Sequence, residues 1–66
     1  MSKLALFQAA RAAEKAWTDE IVRVFGEREA GLARFQGRAS GEPGSALRGL
    51  YDVYVKARDA YELALR

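Results

Sequence analysis

The stretch Gly37-Arg-Ala-Ser-Gly-Glu-Pro-Gly44 decides the fold, because helix-breaking residues cluster there. Proline lacks a backbone N–H, and glycine is the costliest ordinary residue in a helix, so this composition predicts a connection between elements. Residues 1–36 and 45–66 are instead rich in the helix formers Ala, Leu, Glu, Lys and Arg. Because a short connection places consecutive helices side by side in opposite directions, the sequence predicts an all-α antiparallel helical hairpin.

The predicted hairpin is a single domain spanning the 66 residues. Its first helix, connection and second helix are expected at residues 3–36, 37–44 and 45–65. The hydroxyl of Ser2 is suited to cap the first helix by accepting an early N–H. For the second helix there are two alternatives: Ser45 is its N-cap, or Pro43 lies in its first turn.

Two glycines, Gly26 and Gly31, lie inside the first predicted helix. Each costs roughly 0.8–1 kcal/mol relative to alanine in a helix interior. The apolar positions keep their helical phase across Gly26, which favours one continuous helix that bends or frays at this point. Two helices that break near Gly26 are the alternative.

Both predicted helices carry a stripe of apolar residues at helical spacing. In the second helix the stripe comprises Leu47, Leu50, Tyr54 and Tyr61. We expect it to pack against Trp17, Ile21 and Val24 of the first helix. The first stripe then continues through Arg28, its one charged member, to Leu32 and Phe35. Arg28 could extend its charge to the edge of the stripe or meet an acid across an interface.

A chain of this size has little core of its own. A domain of about 60 residues buries only about 60% of its unfolded surface, and without cysteine no disulfide can compensate. Val53 and Val55 lie about 200° apart around a helix, so a single neighbouring helix cannot cover both. We therefore expect a homodimer that completes a four-helix bundle. The candidate interface residues are Trp17, Phe25, Arg28, Leu32, Phe35, Val55 and Leu63. For Trp17 the favoured interpretation is a core anchor, and an exposed interface residue is the alternative.

The residue types argue against catalysis. Histidine and cysteine are absent, which removes the commonest general base, the best nucleophile and the usual ligands of structural metals. Neighbouring acids such as Asp19 and Glu20 do not face each other on a helix. We expect a non-catalytic protein without a cofactor, which regulates or scaffolds a protein partner through helix–helix contacts.

A small RNA- or DNA-binding regulator is the alternative. Basic and aromatic residues alternate around the connection, and Glu42 is the one acid between residues 30 and 51. Arginines can engage phosphates, and an aromatic ring can stack on a base. The candidates are Arg34, Arg38, Arg48 and Tyr51. The net charge of +2 is too small by itself to indicate nucleic acid.

The N-terminal segment predicts neither a secretory signal nor a membrane span. Its uncharged run, residues 4–10, is short, contains Gln8 and ends at Arg11. A cytoplasmic location is expected.

In length and layout the chain resembles plasmid copy-control RNA-binding proteins of the Rop type, in which two hairpins form a four-helix bundle. Small proteins of this build are common among accessory genes of bacteria and phages.

Overall fold

The computed structural model describes residues 2–66, of which 83% lie in helices and none in a strand. The all-α prediction is therefore confirmed. The helices are α1 (Lys3–Phe25), α2 (Glu27–Phe35) and α3 (Ala46–Ala64), and a short 3-10 turn (Arg38–Ser40) lies between α2 and α3. None of the helices within residues 2–66 has the length and apolarity that crossing a membrane requires.

The prediction of one continuous helix over residues 3–36 is wrong, because the helix ends at Gly26. The backbone there has φ 84° and ψ 159°, a conformation that glycine adopts without strain. A single helix of 34 residues would be about 51 Å long, whereas the 19 residues of α3 span about 28 Å. α3 could not cover such a helix, and the break lets α2 fold back and bury Ala33.

Serine side chains cap the N-termini of the two long helices, α1 and α3. Ser2 Oγ accepts a hydrogen bond from the N–H of Ala5 at 3.1 Å, and Ser45 Oγ accepts one from the N–H of Arg48 at 3.1 Å. Each bond satisfies a donor that has no partner within its helix. Both predicted serine caps are confirmed, and Pro43 precedes α3 without entering it.

Aromatic contacts show that α1 and α3 run in opposite directions. Phe7 near the start of α1 packs on Tyr61 near the end of α3, with ring centroids 5.4 Å apart. Further along α1, Trp17 packs on Tyr51 and Tyr54 at 5.2 and 5.0 Å, the latter nearly parallel. Offset and tilted ring pairs of this kind add about 0.5–1.5 kcal/mol beyond the area they bury.

The core lies where α1, the 3-10 turn and α3 meet. Its buried residues are Trp17, Ile21, Ala39 and Leu47, with Leu50 and Tyr54 packed against them at the edge. The Nε1 of Trp17 donates a hydrogen bond of 2.8 Å to the carbonyl oxygen of Ala39. This bond ties the middle of α1 to the connection, and it leaves the polar edge of the buried indole satisfied.

The predicted helix contact is correct for most of its members and wrong for Val24. Trp17 and Ile21 are buried against α3, as expected, but Val24 is 48% exposed. Leu47, Leu50 and Tyr54 also lie in or against the core, and Tyr61 packs on Phe7 nearer the start of α1. Val24 is exposed because the space beside it, between α1 and the start of α3, is an open groove.

Candidate interaction surface

The outer face of α2 is apolar and faces away from the core. α2 turns Ala33 inward, where it is fully buried, with Ala30 packed against the core one turn earlier. At 100° per residue, Arg28, Leu32 and Phe35 fall on the opposite side of the helix. We call these three residues the α2 outer face.

Phe35 is the most exposed large apolar side chain among those described, with 90% of its surface accessible. Leu32, one turn earlier, is 47% exposed. Burying a phenylalanine side chain is worth about 1.5–3 kcal/mol relative to leaving it in water. The folded monomer lacks this stabilisation because Phe35 remains in water. The α2 outer face is therefore suited to bind another surface.

An open groove of about 540 Å³ lies between the end of α1, the 3-10 turn and the start of α3. Its apolar lining includes Val24 and Phe25 from α1 together with Ala46 and Leu47 from α3. We call this feature the groove. The groove is large enough to hold a few side chains of a partner. Its lining of apolar residues with a few polar groups is typical of binding sites.

The wall of the groove beside α3 depends on Gly41. Its backbone has φ 79° and ψ 165°, a region that is essentially restricted to glycine. A Cβ atom there would lie 2.7 Å from the backbone nitrogen of Arg48 and 2.9 Å from Ser45 Oγ. Gly41 therefore allows the connection to approach the first turn of α3, which fixes the shape of the groove.

The rim of the groove carries charges of both signs. The carboxylate of Glu20 accepts two hydrogen bonds from Arg23, at 2.7 and 2.6 Å, and these bonds lower the pKa of Glu20. The guanidinium of Arg38 lies over the ring of Phe25, 5.4 Å from its centroid. Glu42 forms no ion pair with any residue in the described part of the chain.

The three candidate nucleic-acid arginines lie on aromatic rings of the fold. Arg34 covers Trp17 at 4.7 Å from the ring centroid, and Arg48 covers Tyr51 at 5.9 Å. Arg48 also pairs with Asp52 at 3.3 Å. Cation–π contacts of this kind stabilise the surface by about 0.5–1 kcal/mol each. Because Trp17 is buried and Arg48 lies over Tyr51, these rings offer little free surface for a stacked base.

The structure divides the predicted interface residues into three groups. Trp17 is buried in the core, which confirms its favoured role as a core anchor and removes it from the interface candidates. Phe25 is half-buried in the lining of the groove, whereas Arg28, Leu32 and Phe35 lie on the α2 outer face. On α3, Val55 is half-buried and Leu63 is 66% exposed; about 24 Å of helix separates Leu63 from Leu47 at the groove.

Sequence reasoning missed two small residues that shape this region. Ala33 and Ala39 are both buried, at 0% and 2% exposure. Alanine carries little apolar signal, and Ala39 lies in a segment predicted to be a surface connection. Gly41, two residues later, was the available sign that this backbone passes close to another element.

No protein-family model matches the sequence, and no curated protein and no solved structure shows significant similarity to it.

Proposed function

We propose that this chain is a non-catalytic helical interaction protein. It forms a homodimer that buries the α2 outer face of both copies, and the dimer regulates or scaffolds a protein partner. The observation that carries the proposal is the exposure of the α2 outer face, above all the 90% exposure of Phe35.

The total exposed area supports the same conclusion. A monomer of 7.3 kDa ordinarily exposes about 4,200 Å², whereas this chain exposes 4797 Å². The excess of about 600 Å² approaches the roughly 800 Å² that each partner buries in a stable interface. A second copy can cover this excess without any further component.

Sedimentation at several concentrations tests the dimer. We expect a mass about twice that of the 7.3 kDa chain, and a melting temperature that rises with concentration because association stabilises the folded state. A monomer that stays folded at high micromolar concentration, with a melting temperature independent of concentration, would refute the homodimer.

Nucleic-acid binding is tested in the same preparation. Phosphate contacts make affinity fall steeply with salt concentration. Binding of RNA or DNA with such a salt dependence, lost in Arg34→Ala and Arg38→Ala, would contradict the proposal. This result would show that the proposed role as a regulator or scaffold of a protein partner is wrong. We expect no binding at physiological salt.

A further inference from the structure

We propose that Phe35 of each copy inserts into the groove of the other copy, so that the homodimer is closed by two identical contacts. The inference rests on the homodimer proposed above and specifies which surfaces form it. In a two-fold dimer, every contact occurs twice with the roles of the two copies exchanged. If Phe35 of one copy enters the groove of its partner, Phe35 of the partner therefore enters the groove of the first copy.

The two surfaces match in chemistry. Phe35 projects from the α2 outer face with almost all of its ring exposed, and the groove presents partly exposed apolar side chains, among them Val24 at 48% exposure. An aromatic side chain that fills an apolar pocket at the centre of a contact is the typical anchor of a protein interface. Each copy thus contains both halves of the contact.

The two surfaces are also close together in the same molecule. Phe35 ends α2, and Gly37 and Arg38, which line the groove, follow it almost directly. A two-fold axis that passes beside this segment brings the Phe35 of each copy towards the groove of the other. A surface far from the groove, such as that around Leu63, would not create this reciprocal arrangement.

Charges at the edges of the two surfaces are complementary. Arg28 on the α2 outer face and Glu42 on the rim of the groove form no ion pair within residues 2–66. Opposite charges at the edge of an interface orient the partners and speed their encounter. A second copy supplies Arg28 to Glu42 and Glu42 to Arg28, whereas a partner of uniform charge would satisfy one and repel the other.

The test compares the dimer dissociation constant of three single variants by sedimentation. Phe35→Ala removes the inserted side chain, and Val24→Lys places a charge inside the groove. Val53→Lys is the matched control, since Val53 is exposed to a similar degree, 56%, but lies on α3 outside the groove. Circular dichroism verifies that each variant retains the helix content of the unmodified chain.

Losing one contact at an interface hot spot weakens binding by about 30-fold, which corresponds to about 2 kcal/mol. Phe35→Ala and Val24→Lys each remove both contacts of the symmetric dimer, so each should raise the dissociation constant by about 1,000-fold, whereas Val53→Lys should leave it unchanged.

Mixing the two variants gives the decisive measurement. In a mixed dimer, Phe35 of the Val24→Lys copy can still enter the intact groove of the Phe35→Ala copy. One contact is thus restored. The dissociation constant of the mixed dimer should therefore rise by only about 30-fold, much less than the rise of about 1,000-fold for either variant alone. Complementation of this kind requires Phe35 and the groove to meet each other across the interface.

Other outcomes overturn the inference in distinguishable ways. If the unmodified chain is a monomer, the proposed function fails and the inference fails with it. If the chain is a dimer that Leu63→Ala weakens but Phe35→Ala does not, the homodimer stands and the contact assigned to Phe35 is wrong. If Phe35→Ala weakens the dimer and Val24→Lys does not, or if the mixture shows no recovery, Phe35 binds a surface other than the groove.

Discussion

Replacing Gly41 with alanine should destabilise the fold far more than an ordinary substitution in a connection. The new Cβ would lie 2.7 Å from the Arg48 nitrogen and 2.9 Å from Ser45 Oγ, which are the two atoms of the N-cap hydrogen bond of α3. The backbone must therefore move, and the cap must break. In addition, alanine is strained at φ 79° and ψ 165°.

The magnitude follows from these two effects. Backbone strain in this region costs about 1–3 kcal/mol, and loss of a serine N-cap costs about 0.5–2 kcal/mol. Gly41→Ala should thus lower the free energy of unfolding by about 1.5–5 kcal/mol. At 0.05–0.15 kcal/mol per residue, the whole 66-residue fold is stabilised by only about 3–10 kcal/mol. The variant should therefore be partly unfolded at moderate temperature.

Gly26→Ala is the matched control. Gly26 has nearly the same backbone angles, φ 84° and ψ 159°, but a Cβ there would meet no atom within 4 Å. It should show the strain alone, about 1–3 kcal/mol. Urea denaturation of both variants at one protein concentration measures the difference. If α1 and α2 fuse in Gly26→Ala and raise its helix content, Gly37→Ala, at φ 80° and ψ 4° with open space around it, gives the cost of a positive φ without a clash.

Equal losses of stability in Gly41→Ala and in the control would refute this reasoning. They would show that the connection does not approach α3 closely enough to meet a side chain at position 41.

Three further perturbations have outcomes that the structure specifies. Gly31→Ala should raise the free energy of unfolding by about 0.5–1 kcal/mol, because Gly31 lies inside α2 with open space around its Cβ position; a loss of stability would contradict this. Trp17→Phe should cost about 1–3 kcal/mol, measured by urea denaturation, because it leaves the Ala39 carbonyl oxygen without its donor; a neutral effect would show that this bond is dispensable. Because Arg23 lowers the pKa of Glu20, their pair stabilises the fold above the unfolded-state pKa, and this contribution is lost as the pH falls through the folded-state pKa. Acidification should therefore reduce the melting temperature of the unmodified chain more than that of Glu20→Gln, and parallel curves would show that the pair contributes nothing.

Local signals in the sequence were sufficient for several features. Ala, Leu, Glu, Lys and Arg favour helix through their own backbone preferences, so the helical content and the connection at residues 37–44 could be predicted. Ser2 and Ser45 were found as caps because capping depends on neighbouring residues alone. Ile21 and Leu47 were found as core residues because each is a large apolar residue in a periodic stripe.

Phe35 was predicted to be an interface residue, but the predicted reason for its exposure was incomplete. The prediction placed it at the end of an apolar stripe on one continuous helix. In the structure Phe35 is exposed because α2 has turned its alanines inward and its larger side chains outward. The phase of the stripe could not reveal this, since the same spacing of apolar residues fits a continuous helix and a broken one.

Tertiary packing alone decided the break at Gly26 and the groove. Gly26 permits either a bend or a break, and the choice depends on the mismatch of about 51 Å against about 28 Å between the continuous helix and α3. The walls of the groove come from the end of α1, the connection and the start of α3, which lie apart in the chain. The sequence thus determined which segments are helical, since that preference is local. The fold decided which faces remain exposed, because burial depends on the elements that happen to lie opposite.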